Sequence, residues 1–306
     1  VGVVGVSEIN VTEQAPPPPA DGPELPRLLP DTTMPLLTDT VVVTGNLQNR
    51  LNNAKSGTLL ILDGEFEGNF TVNSGSGVQI QGGRLVTTNN MAPLTFEPPA
   101  SRWKVIGTEF RSSSDQTTDL VSIRGADRIT LQNIDAHGHD ALDIRRCVLG
   151  NGTHISVLVS SLTGCHANGF DSQAFIAWNG GGPYWIEGNV LEGAGENVMF
   201  GGADPDSPEA IPADITFRNN TVRKPPEWRN LPWSVKNLFE IKTATRVLIE
   251  NNVFENSWPD AQDVGINIKS VNQDGGSNGA WSKATDIVFR RNTVRNVPTA
   301  LSLAAS

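Results

Sequence analysis

Five titratable side chains between positions 171 and 242 could do chemistry together: Asp171, Glu196, Lys236, Glu240 and Lys242. A carboxylate beside an ammonium shifts the proton affinity of both groups. Either can then give a proton to a reacting atom or take one from it. Glu196 and Lys236 fall in neighbouring repeat units and are expected to face each other. One reading makes Lys236 a base or Glu196 an acid; the other is a cross-coil ion pair with no chemistry. Glu240 and Lys242 alternate outward on a single strand and could do similar work. Inverting hydrolysis needs two carboxyl groups about 6.5–9.5 Å apart. Two strand spacings give roughly 9.6 Å, so the scaffold permits it, but no single carboxyl pair stands out.

The elements that must position these groups are announced by a returning phrase, apolar–x–apolar–x–x–Asn–x–apolar. It is clearest at Trp185-Ile-Glu-Gly-Asn-Val-Leu, Ile215-Thr-Phe-Arg-Asn-Asn-Thr-Val, Leu248-Ile-Glu-Asn-Asn-Val-Phe and Ile287-Val-Phe-Arg-Arg-Asn-Thr-Val. The shared residues Asn189, Asn220, Asn252 and Asn292 are 31, 32 and 40 residues apart. A strand-type repeat of this length implies a solenoid of β-coils. Each coil reads as a first strand and a second strand. The second strands are Leu120-Val-Ser-Ile, Leu142-Asp-Ile, Ala174-Phe-Ile, Val198-Met-Phe, Leu238-Phe-Glu-Ile, Ile266-Asn-Ile and Leu301-Ser-Leu. Their period of two marks half-buried strands. The recurring Asn tolerates a left-handed backbone and can bond to the next coil, a structural ladder rather than a catalytic one.

Stacking places outward residues of successive second strands about 4.8 Å apart. One polar column is expected to hold Asp140, Gln173, Asn197, Asn237 and Asp263, with Ser172, Glu196, Lys236 and Gln262 one step earlier. Asp143 would align with Glu240, and Arg145 with Lys242 and Lys269. Asn197, Asn237 and Arg145 are thus candidate ligand contacts, unless the face is only a solvated amide ladder. Insertions at 201–213, 223–234 and 270–283 carry Pro, Gly, Asp and Trp, and loops on a rigid scaffold are where function concentrates. Trp178, Trp233 and Trp258 lie in or beside them as candidate stacking platforms, or as shields for the coil sides. His137, His139, His154 and His166 show no zinc spacing, and no nucleotide-binding or serine-hydrolase motif occurs.

Acidic residues outnumber basic ones 33 to 23, a net charge of −10, which argues against nucleic acid and anionic membranes as partners. No apolar stretch approaches the roughly 18–20 residues of a membrane span. Cys147 and Cys165 are either bridged or two buried thiols. Asn10, Asn69, Asn151 and Asn219 sit in N-x-[S/T] sequons. Residues 1–14 form a β-prone segment, 15–40 a Pro-rich linker with eight prolines in 15–35, and 41–306 the solenoid domain. At the solenoid's start Leu47, Leu51 and Ala54 share a helical face that Gly57 ends. The chain stops directly after a repeat strand. That suggests either further chain or self-association, with the N-terminal strand adding to a neighbouring sheet edge.

With these residues in view, the chain resembles the right-handed parallel β-helix proteins of the pectate-lyase-like group, and more narrowly a bacterial secreted branch of it. The resemblance covers about residues 40–300. It rests on Leu51-Asn-Asn-Ala-Lys-Ser-Gly, Gly68-Asn-Phe-Thr, Asp171-Ser-Gln-Ala, Trp178-Asn-Gly-Gly-Gly-Pro, Gly195-Glu-Asn-Val-Met-Phe-Gly-Gly-Ala-Asp, Trp233-Ser-Val-Lys-Asn-Leu-Phe-Glu-Ile-Lys and Asn272-Gln-Asp-Gly. It implies an all-β, right-handed parallel β-helix solenoid with a short N-terminal capping helix. It also implies a secreted, extracellular or cell-surface location and a polysaccharide partner. The expected role is to bind or cleave a polysaccharide as a lyase or glycoside hydrolase; the alternative is a non-catalytic structural or adhesive subunit. β-Elimination would need a base and a cation for the uronate carboxylate, for which Arg124, Arg145, Lys242 and Lys269 offer a basic strip. No cofactor is expected, with Ca²⁺ at Asp204, Asp206 and Glu209 as the one alternative.

Overall fold

The computed structural model describes residues 22–271 and 281–304. The β-prone N-terminal segment, the Asn10 sequon and the Asn272-Gln-Asp-Gly motif fall outside them. Short runs rich in Val, Ile, Phe and Thr, which suit a pleated half-buried surface, form strands that pair in parallel with their counterparts one coil away. The result is a right-handed parallel β-helix. One coil comprises Tyr184–Glu187, Val190–Gly193 and Val198–Phe200; the next comprises Ala213–Arg218, Thr221–Arg223 and Phe239–Ile241.

Each coil therefore has three strands, not two. The repeat phrase is a pair of short strands bent at the Asn. The middle strands build a sheet of their own, nine strands deep. The bend comes from the residue before the Asn, which takes the left-handed conformation in every copy: Gly188 (φ 72°), Asn219 (57°), Asn251 (56°) and Arg291 (56°). The repeated Asn is thus not the left-handed residue. Its side chain builds the ladder instead. Asn220 Oδ1 accepts from both the backbone N–H and the side-chain amide of Asn189, each at 3.0 Å, while Asn220 Nδ2 donates to Ile186 O at 3.0 Å. Asn252 and Asn292 repeat the arrangement. The amides of Asn189, Asn220 and Asn252 are buried and that of Asn292 partly so, and each satisfies backbone groups that the bend would otherwise leave without partners.

The core is a continuous stack. Ile186, Phe217, Ile249 and Phe289 lie in register across four coils, and Phe217 stacks on Phe254 at 6.3 Å. The helix Leu47–Asn53 closes the first coil with Leu47 and Leu51 buried. Cys147 and Cys165 are disulfide-bonded, which decides between the two alternatives left by the sequence. From residue 22 onward the Pro-rich segment runs along the flank of the solenoid: the N–H groups of Glu24 and Arg27 donate to Asp286 and Asp214, and Thr38 N–H donates to Gly57 O.

Candidate functional site

The sheet built from the last strand of each coil carries the chemistry. Its register departs from the alignment that the sequence suggests, by one residue at Gln173 and by six at Asp143. Glu240 stands beside Met199 and Asn267, and Met199 beside Ile176, which stands beside Leu149. Glu240 does not align with Asp143. Gln173 meets Glu196 rather than Asn197, its Nε2 donating to Glu196 Oε2 at 2.8 Å. A one-residue slip exchanges the two faces of a strand, so Asn197 turns inward. Its amide donates to Leu191 O and Arg223 O. As a ligand contact Asn197 is therefore corrected to a buried staple.

Lys236 Nζ lies 2.6 Å from Asp171 Oδ1 and 3.4 Å from Glu196 Oε1. Glu196 is fully buried, Asp171 is half-exposed, and the lysine stands between them. Burial works against the Lys236 charge, but Glu196 and Asp171 outweigh it and hold the ammonium above its ordinary range. Glu240 is also fully buried. Its Oε1 accepts from Asn267 Nδ2 at 2.9 Å and lies 3.6 Å from Lys269 Nζ; its Oε2 lies 4.0 Å from Lys242 Nζ and has no hydrogen-bond donor. Burial pushes the Glu240 carboxyl up, Lys242 and Lys269 pull it back, and the charge of Glu196 adds to the rise. Lys242 and Lys269 are in register, as the sequence suggests. Further along the same sheet, buried Asp119 holds Arg146 at 2.6 Å and Arg124 at 3.7 Å.

A common pattern emerges. The carboxylates Asp119, Glu196 and Glu240 have no exposed side-chain surface, whereas the cations ion-paired with them, Arg124, Arg146, Lys236, Lys242 and Lys269, are partly exposed. The buried anions fix the stems of cations whose heads reach water, the arrangement that long basic side chains favour.

Other expected ligand contacts are placed elsewhere. Trp233 and Trp258 are buried with Trp228, Val235 and Ala194 in a small cluster beneath the 223–234 insertion. They chiefly shield the coils, although Trp258 also lines a groove with Arg229 and Asn296. Trp178 is half-buried against Leu149, Ile176 and Met199, with the Arg146 guanidinium 5.8 Å from its ring. Arg145 lies over Phe170 at 5.4 Å, away from Lys242 and Lys269, so the expected alignment of these three is also corrected. Asn237 is buried and donates to Gln262 Oε1 at 2.7 Å.

Two residues were not singled out as site residues. Lys224 is fully buried behind Glu196. His166 is buried, stacked on Trp233 at 3.8 Å and edge-on to Trp228 at 5.4 Å. Desolvation draws its pKa down to about 4. Neither belongs to a repeated phrase, so periodicity gives no signal for them. The one available sign is the Arg223-Lys224 pair wedged between Val222 and Pro225.

Among the described residues no group of three His, Cys, Asp or Glu side chains is placed to hold a metal ion. Asp204 accepts from Ser282 and Asp206 from Asn179, so these two engage different neighbours. Among the described residues no helix is long and apolar enough to cross a membrane.

No protein-family model matches this chain, and no curated protein matches it. Among solved structures it is similar to pectate lyase Pel9A, at 14% identity and a TM-score of 0.49, covering 90% of this chain and 80% of that one. It is similar to an alginate lyase from Paenibacillus sp. str. FPU-7, at 12% identity and a TM-score of 0.43, covering 88% and 99%. It is also similar to the A-module of mannuronan C-5 epimerase AlgE4 from Azotobacter vinelandii, at 11% identity and a TM-score of 0.35, covering 85% and 91%. The likeness stops at the course of the chain, and no residue role is taken from it.

Proposed function

We propose that this protein binds an acidic polysaccharide along the outer face of its last-strand sheet. One observation carries the reading: on a protein of net charge −10, five cations on this face reach water, while of the carboxylates that hold them Asp119, Glu196 and Glu240 are buried and Asp171 is half-exposed. Lys236, Lys242 and Lys269 at one end and Arg124 and Arg146 at the other would meet carboxylates of successive sugar units. Local charge of this kind overrides the repulsion expected from the net charge. Binding is favoured over cleavage because Glu196 and Glu240, the carboxyls placed for acid or base work, have no surface that a substrate could touch. Lys236, held protonated, suits charge neutralisation better than proton abstraction. The disulfide supports a secreted location, since such bonds persist in oxidising compartments.

The second reading, a non-catalytic structural or adhesive subunit, draws on the full burial of Glu196 and Glu240 and on the packing of Trp233 and Trp258 against the coils. A panel of polyuronates and neutral glucans, with and without Ca²⁺, separates the two. Binding confined to the polyuronates, weakening as salt rises and lost in a Lys236→Ala/Lys242→Ala/Lys269→Ala variant, supports the proposal. Equal binding of neutral chains, or none at all, refutes it; self-association seen by light scattering would then favour the second reading. Ultraviolet absorbance of unsaturated uronates and release of reducing ends, followed in the same samples, report any cleavage by elimination or hydrolysis.

A further inference from the structure

Lys224 is a charged side chain with no exposed surface, and it does not itself face the proposed ligand. Four oxygens surround its Nζ: the carbonyls of Gly193, Ala194 and Gly195 at 2.8, 2.8 and 2.7 Å, and Asn197 Oδ1 at 2.8 Å. An ammonium shares three N–H bonds among these acceptors. A neutral amine would have only two, and its lone pair would face an oxygen. The cage therefore demands the charged form, although burial draws the group down to about 7 and only Glu196 pulls it back.

The cage itself is unusual in its make-up. Three consecutive carbonyls converge on one point, which is unfavourable unless a positive charge sits there. All four oxygens are formally neutral, so the site matches a small monovalent cation. The backbone is brought there by close coil approach: a Cβ on Gly193 would lie 2.7 Å from Ala174 N, and one on Gly195 2.7 Å from both Ser172 N and Ser172 O. The caged segment runs directly into Glu196, whose carboxylate accepts from Gln173 and faces Lys236. Asn197, the fourth wall of the cage, is the next residue. Glu196 is thus clamped between two caged positions.

We propose that Lys224 is a tethered cation filling an oxygen cage, and that it is the positioning residue that fixes Glu196 and, through it, the Lys236 head on the binding face. What the positioned lysine binds rests on the polyuronate reading; the cage does not.

Two variants test this. Lys224→Ala empties the cage, and Lys224→Met fills it with an uncharged chain of similar length. In tetramethylammonium chloride, whose cation is too large for the cage, Lys224→Ala is expected to bind polyuronate roughly tenfold more weakly than the natural protein, in the range of supporting-shell losses. In ammonium or potassium chloride of equal ionic strength it recovers, and its melting temperature rises with it; Lys224→Met recovers neither. In crystals of Lys224→Ala grown with rubidium chloride, the anomalous signal should place an ion among Gly193 O, Ala194 O, Gly195 O and Asn197 Oδ1. The positioning role is overturned if Lys224→Met melts lower yet binds polyuronate like the natural protein. The cage is overturned if no ion enters it and ammonium and tetramethylammonium act alike. Should the natural protein bind no polyuronate, the polyuronate reading fails, while the rubidium and melting measurements still decide on the cage.

Discussion

Two sets of charges on this solenoid use the same residue types in opposite ways. On the first-strand sheet Glu187, Arg218, Glu250 and Arg290 stand in one column across four coils. Each carboxylate meets a guanidinium at 2.7–2.9 Å, with the arginine side chains a third to a half exposed. On the last-strand sheet the cluster of Asp171, Glu196, Lys236, Glu240, Lys242 and Lys269 has no such period. Its central carboxylates are fully buried, and Lys236 comes from just beyond an insertion. The column follows from the repeat: alternate signs at one position per coil reward the correct register. The cluster does not follow from the repeat. Burying a carboxylate is costly, and nothing in the solenoid's periodicity requires it. Charge that recurs stabilises the coil stack, and charge that is concentrated, buried and unrepeated is where a function has to be sought.

This contrast can be broken by experiment. The largest effect should come from Lys236→Met, which leaves the buried Glu196 carboxylate with the Gln173 amide but without its ion-pair partner; loss of one member of such a pair costs roughly 3–5 kcal/mol. Adding Glu196→Gln should restore most of it in denaturant titrations. A cost below that of a surface pair would erase the distinction between cluster and column.

His166 supports the same neighbourhood through Trp233, three residues before Lys236. Its folded pKa is about 4, against 6.5 for the free side chain. The unfolded chain therefore takes up the proton first as pH falls. The contribution is complete above about pH 6.5 and is lost progressively down to about pH 4, on the order of 3 kcal/mol. The stability difference between the natural protein and His166→Phe should change across that window, and a difference independent of pH would sink the assignment.

Asn220→Ala should cost about 2–3 kcal/mol, because the Asn189 N–H and amide lose their shared acceptor and Ile186 O its donor. Polyuronate affinity should be unaffected, since the ladder lies between the sheets. Coupled loss of stability and affinity would show that repeat and site are not separable. The smallest effect is expected for Arg218→Ala, below about 1 kcal/mol as for other exposed pairs, checked by the same titration.

Much of the fold was legible from spacing alone. Apolar period and Asn recurrence identify the coils, and Leu47 with Leu51 identifies the cap, because burial in a stacked core repeats the same demand every coil. The ladder is legible as structural, but the recurring Asn points one position past the left-handed residue, since Asn is tolerated at both positions and only backbone geometry separates Asn219 from Asn220. The site was legible in part. Asp171, Glu196 and Lys236 were named together and do meet. Asn197 faces inward where the sequence points outward, and of the two roles open to Trp233 and Trp258 the structure gives them that of shields, because the lengths of the insertions, not the period, set which way each strand enters the sheet.

The sequence by itself determined a solenoid of parallel coils, its capping helix, its acid-rich surface and the residues able to carry charge chemistry. These follow from local period and composition, which short stretches encode. Only the tertiary structure decided that each coil has three sides, that the two cysteines join, that Glu196 and Glu240 sink while Lys236, Lys242 and Lys269 rise, and that Lys224 fills a cage of carbonyls. Those outcomes depend on a register of one residue between coils some thirty positions apart, and a shift of one residue exchanges inside for outside.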